Sequence, residues 1–321
     1  MSNLLKKDWF GLGLVIILGS IAISFFKPAF ISPFNLYVLM LSVSLMLVVA
    51  MSQMIIIAIG QMNLSVGAIG GLVAISFTGL MEVYDLSIFL AIFIGLGIGV
   101  ICGFINGYIT VKTGISAFII TLATLYIFKG MNLGITEAQP FYDIPESVKY
   151  FGNAKFGPIP YLIVIPTIIT FLMWFLMNRT TLGRYMLAYG NNIQSSELMG
   201  ISSTRIVVYA HIISGLLASI GGMLVVCRLQ LGTPNIGDSW LLPSFAAPVI
   251  GGAILAGGKV DVIATAFGVI LVAIISQTLV IFKIDPFFVQ IFLGFMILIA
   301  VFINRYREYR EERRNKVFSN E

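Results

Sequence analysis

Residues 36–59 read LYVLMLSVSLMLVVAMSQMIIIAI. The stretch that follows, Gly60-Gln61-Met62-Asn63-Leu64-Ser65-Val66-Gly67-Ala68-Ile69-Gly70-Gly71, breaks that run with polar groups and glycines before it resumes. The first stretch carries no charge and is long enough to cross a hydrocarbon core, which takes about 20 helical residues. A helix is the required form, because it closes its own backbone hydrogen bonds where water is absent. The second stretch sets a further condition, since irregular backbone between spans is tolerated only against protein or a watery cavity. Together they predict an all-α integral membrane protein with an interruption beside one of its spans.

The rest of the chain repeats the first pattern. Apolar runs lie at about 10–26, 36–59, 64–80, 87–105, 115–128, 160–177, 205–227, 242–256, 262–282 and 286–303, which predicts about ten transmembrane helices, the short fifth and eighth being the marginal ones. With 59% hydrophobic and 10% charged residues, no stretch is left to form a soluble domain. The organisation expected is one transmembrane domain over 1–304 and a charged cytoplasmic tail over 305–321, anchored at the headgroups.

Lysine and arginine concentrate on the cytoplasmic side of short loops. With both termini inside, thirteen basic residues fall inside, among them Lys6, Lys7, Lys112, Arg179, Arg184, Arg205, Lys259 and Arg305. Six fall outside: Lys27, Lys129, Lys149, Lys155, Arg228 and Lys283. The net charge of +5 therefore reports orientation, not nucleic acid. Lys6 and Lys7 precede an apolar run with no small-residue cleavage pattern after it, so the first span is expected to be uncleaved.

All 14 acidic residues fall in loops, tails or span ends. Proton- or sodium-coupled carriers generally need an ionisable group in the core, which disfavours that class. His211 lies inside the seventh run with no acidic neighbour within a turn and is read as a hydrogen-bonded structural residue. One histidine excludes a paired-histidine zinc motif, and no metal site is expected. The nearest fragment to a nucleotide-binding loop, Gly257-Gly258-Lys259-Val260, has Ala253 at the leading glycine and Val260 in place of Ser or Thr. The chain is not expected to be an enzyme, and uphill transport would draw its energy from another subunit. Cys102 and Cys227 sit in apolar runs and are read as packing residues.

Two further segments stand out. Ala246-Ala247-Pro248-Val249-Ile250-Gly251-Gly252, leading through Ala256 to Gly257-Gly258, is glycine-broken like 60–71, and each follows the leading span of its half. Those leading spans run in opposite senses, the pattern of an inverted repeat whose interface commonly forms a solute path. Gly67, Gly70, Gly71, Gly251, Gly252, Gly257 and Gly258 are accordingly read as structural glycines. Residues 178–205 form a polar cytoplasmic loop in which Asn191 or Asn192 caps a short helix over about Gln194–Met199 and Gly200 ends it.

The sequence resembles the ribose-type permeases of the ATP-binding cassette importers, a superfamily that also holds branched-chain amino acid permeases. Three blocks carry the likeness. Gln61-Met62-Asn63-Leu64-Ser65-Val66-Gly67 resembles a Gly-Ile-Asp-Leu-Ser-Val-Gly block. Thr181-Leu182-Gly183-Arg184, with Ala188, Gly190, Asn191 and Gly200-Ile201, is similar to a cytoplasmic loop. Gly251-Gly252 with Ala256-Gly257-Gly258 resembles a late glycine block. The likeness runs from about residue 35 to 303, with Asn63 in place of the usual aspartate and with Pro248 and Lys259-Val260-Asp261 as further departures.

The resemblance implies a permease subunit of an ATP-driven importer for a sugar, ribose-like or a related monosaccharide, in the bacterial cytoplasmic (inner) membrane. A nucleoside, autoinducer or branched-chain amino acid permease is the nearer alternative and an ion-coupled carrier the farther one. It implies a second permease copy, two cytoplasmic ATPase subunits that use ATP and magnesium, and an external solute-binding protein. This chain itself would bind no cofactor. The coupling interface would comprise Thr181, Leu182, Gly183, Arg184, Ala188, Gly190, Asn191, Glu197, Gly200 and Ile201. The polar residues set among apolar neighbours, Gln61, Asn63, Ser65, Asn106, Thr121, Thr124 and Gln277, are candidates for lining the path or for helix–helix hydrogen bonds.

Overall fold

The computed structural model describes residues 8–285, 288–299 and 301–302. The charged tail over 305–321 and Lys6–Lys7 lie outside them. Within them the chain is almost entirely helical: α1 (Asp8–Phe26), α2 (Pro33–Ala58), α3 (Val66–Glu82), α4 (Ile88–Thr113), α5 (Ala117–Thr136), α6 (Glu146–Asn153), α7 (Val164–Arg179), α8 (Thr181–Asn191), α9 (Ile193–Leu198), α10 (Ser203–Leu229), α11 (Leu241–Ile250), α12 (Val262–Ile281) and α13 (Phe288–Ile299). Lys155–Phe156 and Ile159–Pro160 make one small antiparallel hairpin between α6 and α7. Among the described residues seven helices are long and apolar enough to cross a membrane, while α3, α11 and α13 are apolar but shorter.

Local chemistry sets the ends. The Ser32 hydroxyl accepts from Asn35 N–H (3.3 Å) with Pro33 in the first helical turn, and Asp261 accepts from Ile263 and Ala264 N–H (2.8 and 3.0 Å). At the end of α4, Gly114 takes a left-handed conformation (φ 69°) that a side chain would resist.

Two helices form the centre. Of the most apolar window of α2, 78% is buried, and of α10, 67%, against none of α1. The small residues of α4 show how α10 is held. A Cβ on Gly99 would strike Ser219 and the Gly215 carbonyl, one on Gly103 the backbone of His211, and one on Gly107 would come 2.8 Å from Val208 Cα. As α4 numbering rises, α10 numbering falls, so the two are antiparallel and packed backbone to backbone. α2 is also antiparallel to α10, with Ser52 on Ser214 and Val49 against Gly221. α3 runs parallel to α10, since Gly70 meets Ala218 and Gly222 just after Asn63 meets Ser214.

A comparable arrangement surrounds α2. α2 packs on α12 and α11 as α10 packs on α4 and α3. The side chains of Asn35, at the start of α2, and Gln277, near the end of α12, are 3.0 Å apart. α11 and α12 pair through Gly268 on the Ala247 backbone and Gly251 on Ala264 (2.8 Å). Each leading helix therefore lies against the shorter and longer helices of the opposite half. α1 stands at the periphery, held by the Trp9–Phe267 ring stack (6.1 Å) and by Lys27 over Phe282 (5.6 Å).

Three expectations change. The run at 242–256 is not one helix: α11 stops at Ile250, roughly 15 Å at the α-helical rise. Gly252 then turns left-handed (φ 85°) and the chain continues as an irregular segment to Asp261. α5 continues past Phe128 to Thr136, carrying Lys129 within it, whose side chain reaches outward to Asp238. Residues 181–191, expected as loop, form α8, whose first turn is capped by the Thr180 hydroxyl accepting from Gly183 N–H (3.2 Å).

Replacing Gly103 with leucine is expected to cost more than about 3 kcal/mol, since no rotamer avoids the α10 backbone. Gly97→Leu, where a Cβ meets nothing within 4 Å, is expected to change stability by less than about 0.5 kcal/mol. Thermal unfolding of the detergent-purified pair decides the point, and equal midpoints would show that the α4–α10 approach is not the constraint.

Candidate functional site

After α2 ends at Ala58 the chain turns on Gly60 (φ 70°) and runs back into the molecule as far as Ser65 before α3 begins. Gln61 lies beside His211 and Asn63 beside Ser214. Ser214 is eleven residues beyond the start of α10, roughly 16 Å along it, so the loop occupies the mid-depth of the bundle. α3, which follows this extended segment, is a shorter apolar helix of 17 residues.

A polar chain of bonds holds the loop there. The Thr124 hydroxyl donates to Asn106 Oδ1 (2.7 Å), and Asn106 Nδ2 donates to Ser65 Oγ (2.8 Å). Ser65 Oγ and N–H donate to Asn63 Oδ1 (2.7 and 3.0 Å). Asn63 Nδ2 donates to Ser214 Oγ (3.1 Å), which meets Ser52 Oγ at 3.0 Å. Beside it the Thr121 hydroxyl accepts from Leu64 N–H (3.1 Å) and donates to the Ala117 carbonyl (2.7 Å). With its amide oriented to pair donor with acceptor, Gln53 bridges both backbone groups of Asn63 (3.0 and 3.2 Å). Asn63, Ser65, Asn106, Thr121, Ser52 and Ser214 are all fully buried.

The network joins α2, α4, α5 and α10 to the α2–α3 loop using only neutral amides and hydroxyls. Burying a charge here would be far more costly than burying these paired dipoles. Of the seven polar residues singled out in the sequence, Asn63, Ser65, Asn106, Thr121 and Thr124 come together. Gln61 sits one step away, its Oε1 3.0 Å from His211 Nε2. Gln277 lies elsewhere, on Asn35. His211 is fully buried, and among the described residues its Nδ1 has no hydrogen-bond partner. Ser52, Gln53, Ser214 and the Gln61–His211 pair were not visible in sequence, because serines and amides inside apolar runs carry no local mark of what they face.

A second loop enters from the opposite side. Residues 230–240 bring Gly237 (φ 93°) onto Gly67, where a Cβ on either would collide with the other's carbonyl, and Trp240 under Gly70. Gly71 meets the Ile236 carbonyl. The loop is tied by Asn132 Nδ2 to the Pro234 carbonyl (3.1 Å) and by a two-bond bridge between Phe141 and Gly232 (2.8 and 2.9 Å). Lys129 contacts both Asp238 oxygens (2.7 Å), a partly exposed pair worth about 1 kcal/mol or less.

On the face where α2 ends, α8 and α9 form a helical corner. The Asn192 side chain caps α9 by accepting from Ser195 N–H (2.9 Å), and Gly200 (φ 81°) ends the turn that follows. Thr181, Leu182, Gly183, Arg184, Ala188, Gly190 and Asn191 all lie on α8, Glu197 on α9, and Gly200 and Ile201 in the turn. Gly183 packs on the α7 backbone and Ile201 is buried, whereas Thr181, Arg184, Asn191 and Glu197 are exposed. Glu197 accepts from the Ser203 hydroxyl (2.5 Å). Leu198 and Met199 are 90% and 68% exposed, an apolar knob at the tip. Tyr189 is buried on α8, and burial, and then the Glu197 carboxylate, push its phenol above its usual pKa.

Among the described residues no cluster of three or more histidine, cysteine, aspartate or glutamate side chains could hold a metal ion, and Cys102 and Cys227 are buried free thiols.

A family model described as "Branched-chain amino acid transport system / permease component" matches residues 35–301. The chain is 32% identical over 296 residues to the ribose import permease protein of Bacillus subtilis, covering 92% of this chain and 91% of that protein. It is 29% identical over 285 residues to the fructose import permease protein of Rhizobium meliloti, covering 86% and 79%. It is 31% identical over 194 residues to the D-allose transport system permease protein of Escherichia coli, covering 60% and 59%. No solved structure matches.

Asn106 is the hinge of the buried network. Asn106→Ala removes the acceptor of the short Thr124 hydrogen bond and the donor to Ser65 Oγ, which keeps its bond to Asn63, and is expected to destabilise the protein by about 1–3 kcal/mol. Thr124→Val, at the end of the chain of bonds, is expected to cost less. Melting midpoints in detergent measure both, and a neutral Asn106→Ala would mean the bonds do not hold the loop.

Proposed function

The chain belongs to the branched-chain amino acid transport system / permease component family, and on that premise we propose that it is the membrane permease subunit of an ATP-binding cassette importer for a ribose-like monosaccharide. It is a multi-pass protein of the bacterial cytoplasmic (inner) membrane, and its family is a transport component, not an enzyme. The observation that carries the sugar reading is the neutral network at mid-depth. Amides and hydroxyls are the groups that exchange hydrogen bonds with an uncharged polyol, whereas a free amino acid brings an ammonium and a carboxylate for which the network offers no counter-charge. The relatives named for ribose, fructose and D-allose import support the same class.

The topology proposed has ten spans in two inverted halves over 1–304, with 305–321 a cytoplasmic tail. The α8–α9 face is cytoplasmic and the hairpin face external. Basic-residue bias supports this orientation. So does the contact of Trp9 with Phe267, five residues into α12, on the side where α8 and α9 lie. The irregular 230–240 segment of one half meets the first turn of α3, in the other half, at Gly237 and Gly67, an arrangement that fits a solute path between repeats.

Two copies of the permease, two cytoplasmic ATPase subunits using ATP and magnesium, and an external solute-binding protein complete the importer. The Leu198–Met199 knob, flanked by Arg184 and Glu197, seats in the ATPase. ATP-driven closure of the ATPase pair rocks the halves about the central loops. Gln61, Asn63, Ser65, Asn106, Thr121 and Thr124 line the path, with Gln277 beside the start of α2. In the closed state these groups satisfy one another. A passing sugar exchanges its hydroxyls for bonds already made, which keeps the site weak and release fast.

Charge reversal at both Arg184 and Glu197 is expected to lower ATP-dependent uptake by about tenfold or more while the permease still inserts. The measurement is radiolabelled pentose and hexose uptake in a deletion strain, beside copurification of the ATPase. Normal uptake and assembly would show that α8 and α9 are not the docking element.

A further inference from the structure

The α8–α9 corner does not touch the buried network, yet one backbone junction connects them. Gly190, at the end of α8, sits on the Ala58 carbonyl that closes α2, and a Cβ there would collide with that oxygen and come 2.6 Å from Gly258 N. The Gly258 N–H donates to the same Ala58 carbonyl (3.0 Å). Gly257 completes the junction: a Cβ on it would stand 2.6 Å from Gly60 N and 2.8 Å from the Gly190 carbonyl oxygen. Three main chains, from α8, from the end of α2 and from the segment between α11 and α12, thus meet with no side chain between them.

Backbone contacts of this kind have little give, because no rotamer is available to absorb a shift. The residues after the junction are Gln61, whose Oε1 is 3.0 Å from His211 Nε2, and then Asn63 in the buried network. Resting on the importer reading above, we propose that the Ala58–Gly190–Gly258 junction is the transmission joint of the transporter. Displacement of α8 by the ATPase moves the Gly60–Ser65 loop of the first half and the 251–261 segment of the second together. Gly190 and Gly258 act as positioning residues; neither touches solute.

The test uses the assembled complex with its ATPase and binding protein in proteoliposomes and reads ribose molecules imported per ATP hydrolysed. Gly190→Ala wedges the junction and is expected to leave ATP hydrolysis within about twofold while the transport ratio falls about tenfold. Ala58→Gly slackens the same point without adding an atom and is expected to lower the ratio about threefold. If Gly190→Ala fails to assemble, Ala58→Gly decides. An assembled variant with an unchanged ratio overturns the joint. Proportional loss of hydrolysis and transport overturns it as well, marking a structural role. Failure of the importer reading looks different: the unmodified chain would then import solute without ATP, or not respond to the ATPase at all.

Discussion

Everything in this fold answers to one constraint: a backbone that leaves the helix inside a membrane must find every hydrogen bond within the protein. Between Ile59 and Val66 the chain does leave it. Thr121 supplies an acceptor to Leu64 N–H, Asn63 Oδ1 one to Ser65 N–H, and the Gln53 amide pairs with both main-chain groups of Asn63. These partners come from α2, from α5 and from the loop itself, and Ser214 of α10 and Asn106 of α4 hold the loop's own side chains, Asn63 and Ser65. The interruption therefore dictates which helices are neighbours. The glycines of α4 set it against α10 at backbone distance, on the same helix from which Asn106 reaches Ser65.

The exchange of leading helices between halves has a mechanical consequence. α10 is embedded against α3 and α4, and α2 against α11 and α12, so neither half moves without carrying a helix of the other. In the proposed importer, rigid-body rocking of such a pair would pivot on backbone contacts between the halves, among them Gly67 on Gly237 and Gly99 and Gly103 on α10. The two loops that approach this region are held differently. The loop at 230–240 is tied by a partly exposed ion pair and three other hydrogen bonds, the loop at 60–65 by a fully buried network.

Much of this was legible in the sequence, and the boundary is physical. Apolar length and the absence of charge report solvent, so the long spans, the interruption at 60–71 and the acid-free centre follow directly from composition along the chain. Local capping rules found α9, because Asn192 and Gly200 act on neighbours within a turn. α8 was missed because the polar stretch after Arg179 reads as loop by hydropathy, although Gly183, Met186 and Tyr189 recur at helical spacing on one buried face. The end of α11 was missed because hydropathy continues past Ile250 while the conformation changes at Gly252. Five of the polar candidates converge in space, yet nothing in their spacing distinguishes Asn106, which joins the network, from Gln277, which pairs with Asn35. Partner identity is a property of packing over long sequence separations.

A conduit that imports against a gradient must avoid holding its cargo, and in the proposed importer the neutral composition of the central network suits that need. A charged residue at mid-depth would bind a counter-ion or a polar solute tightly, because low dielectric strengthens every unscreened attraction. Neutral donors and acceptors already paired with one another offer a solute only the difference between two similar sets of hydrogen bonds. Selectivity then has to be exercised before the membrane, and directionality has to be imposed from the α8–α9 side. In the proposed importer those tasks fall to the binding protein and the ATPase, and the permease keeps for itself the one property that composition can give it, a centre that neither side can charge.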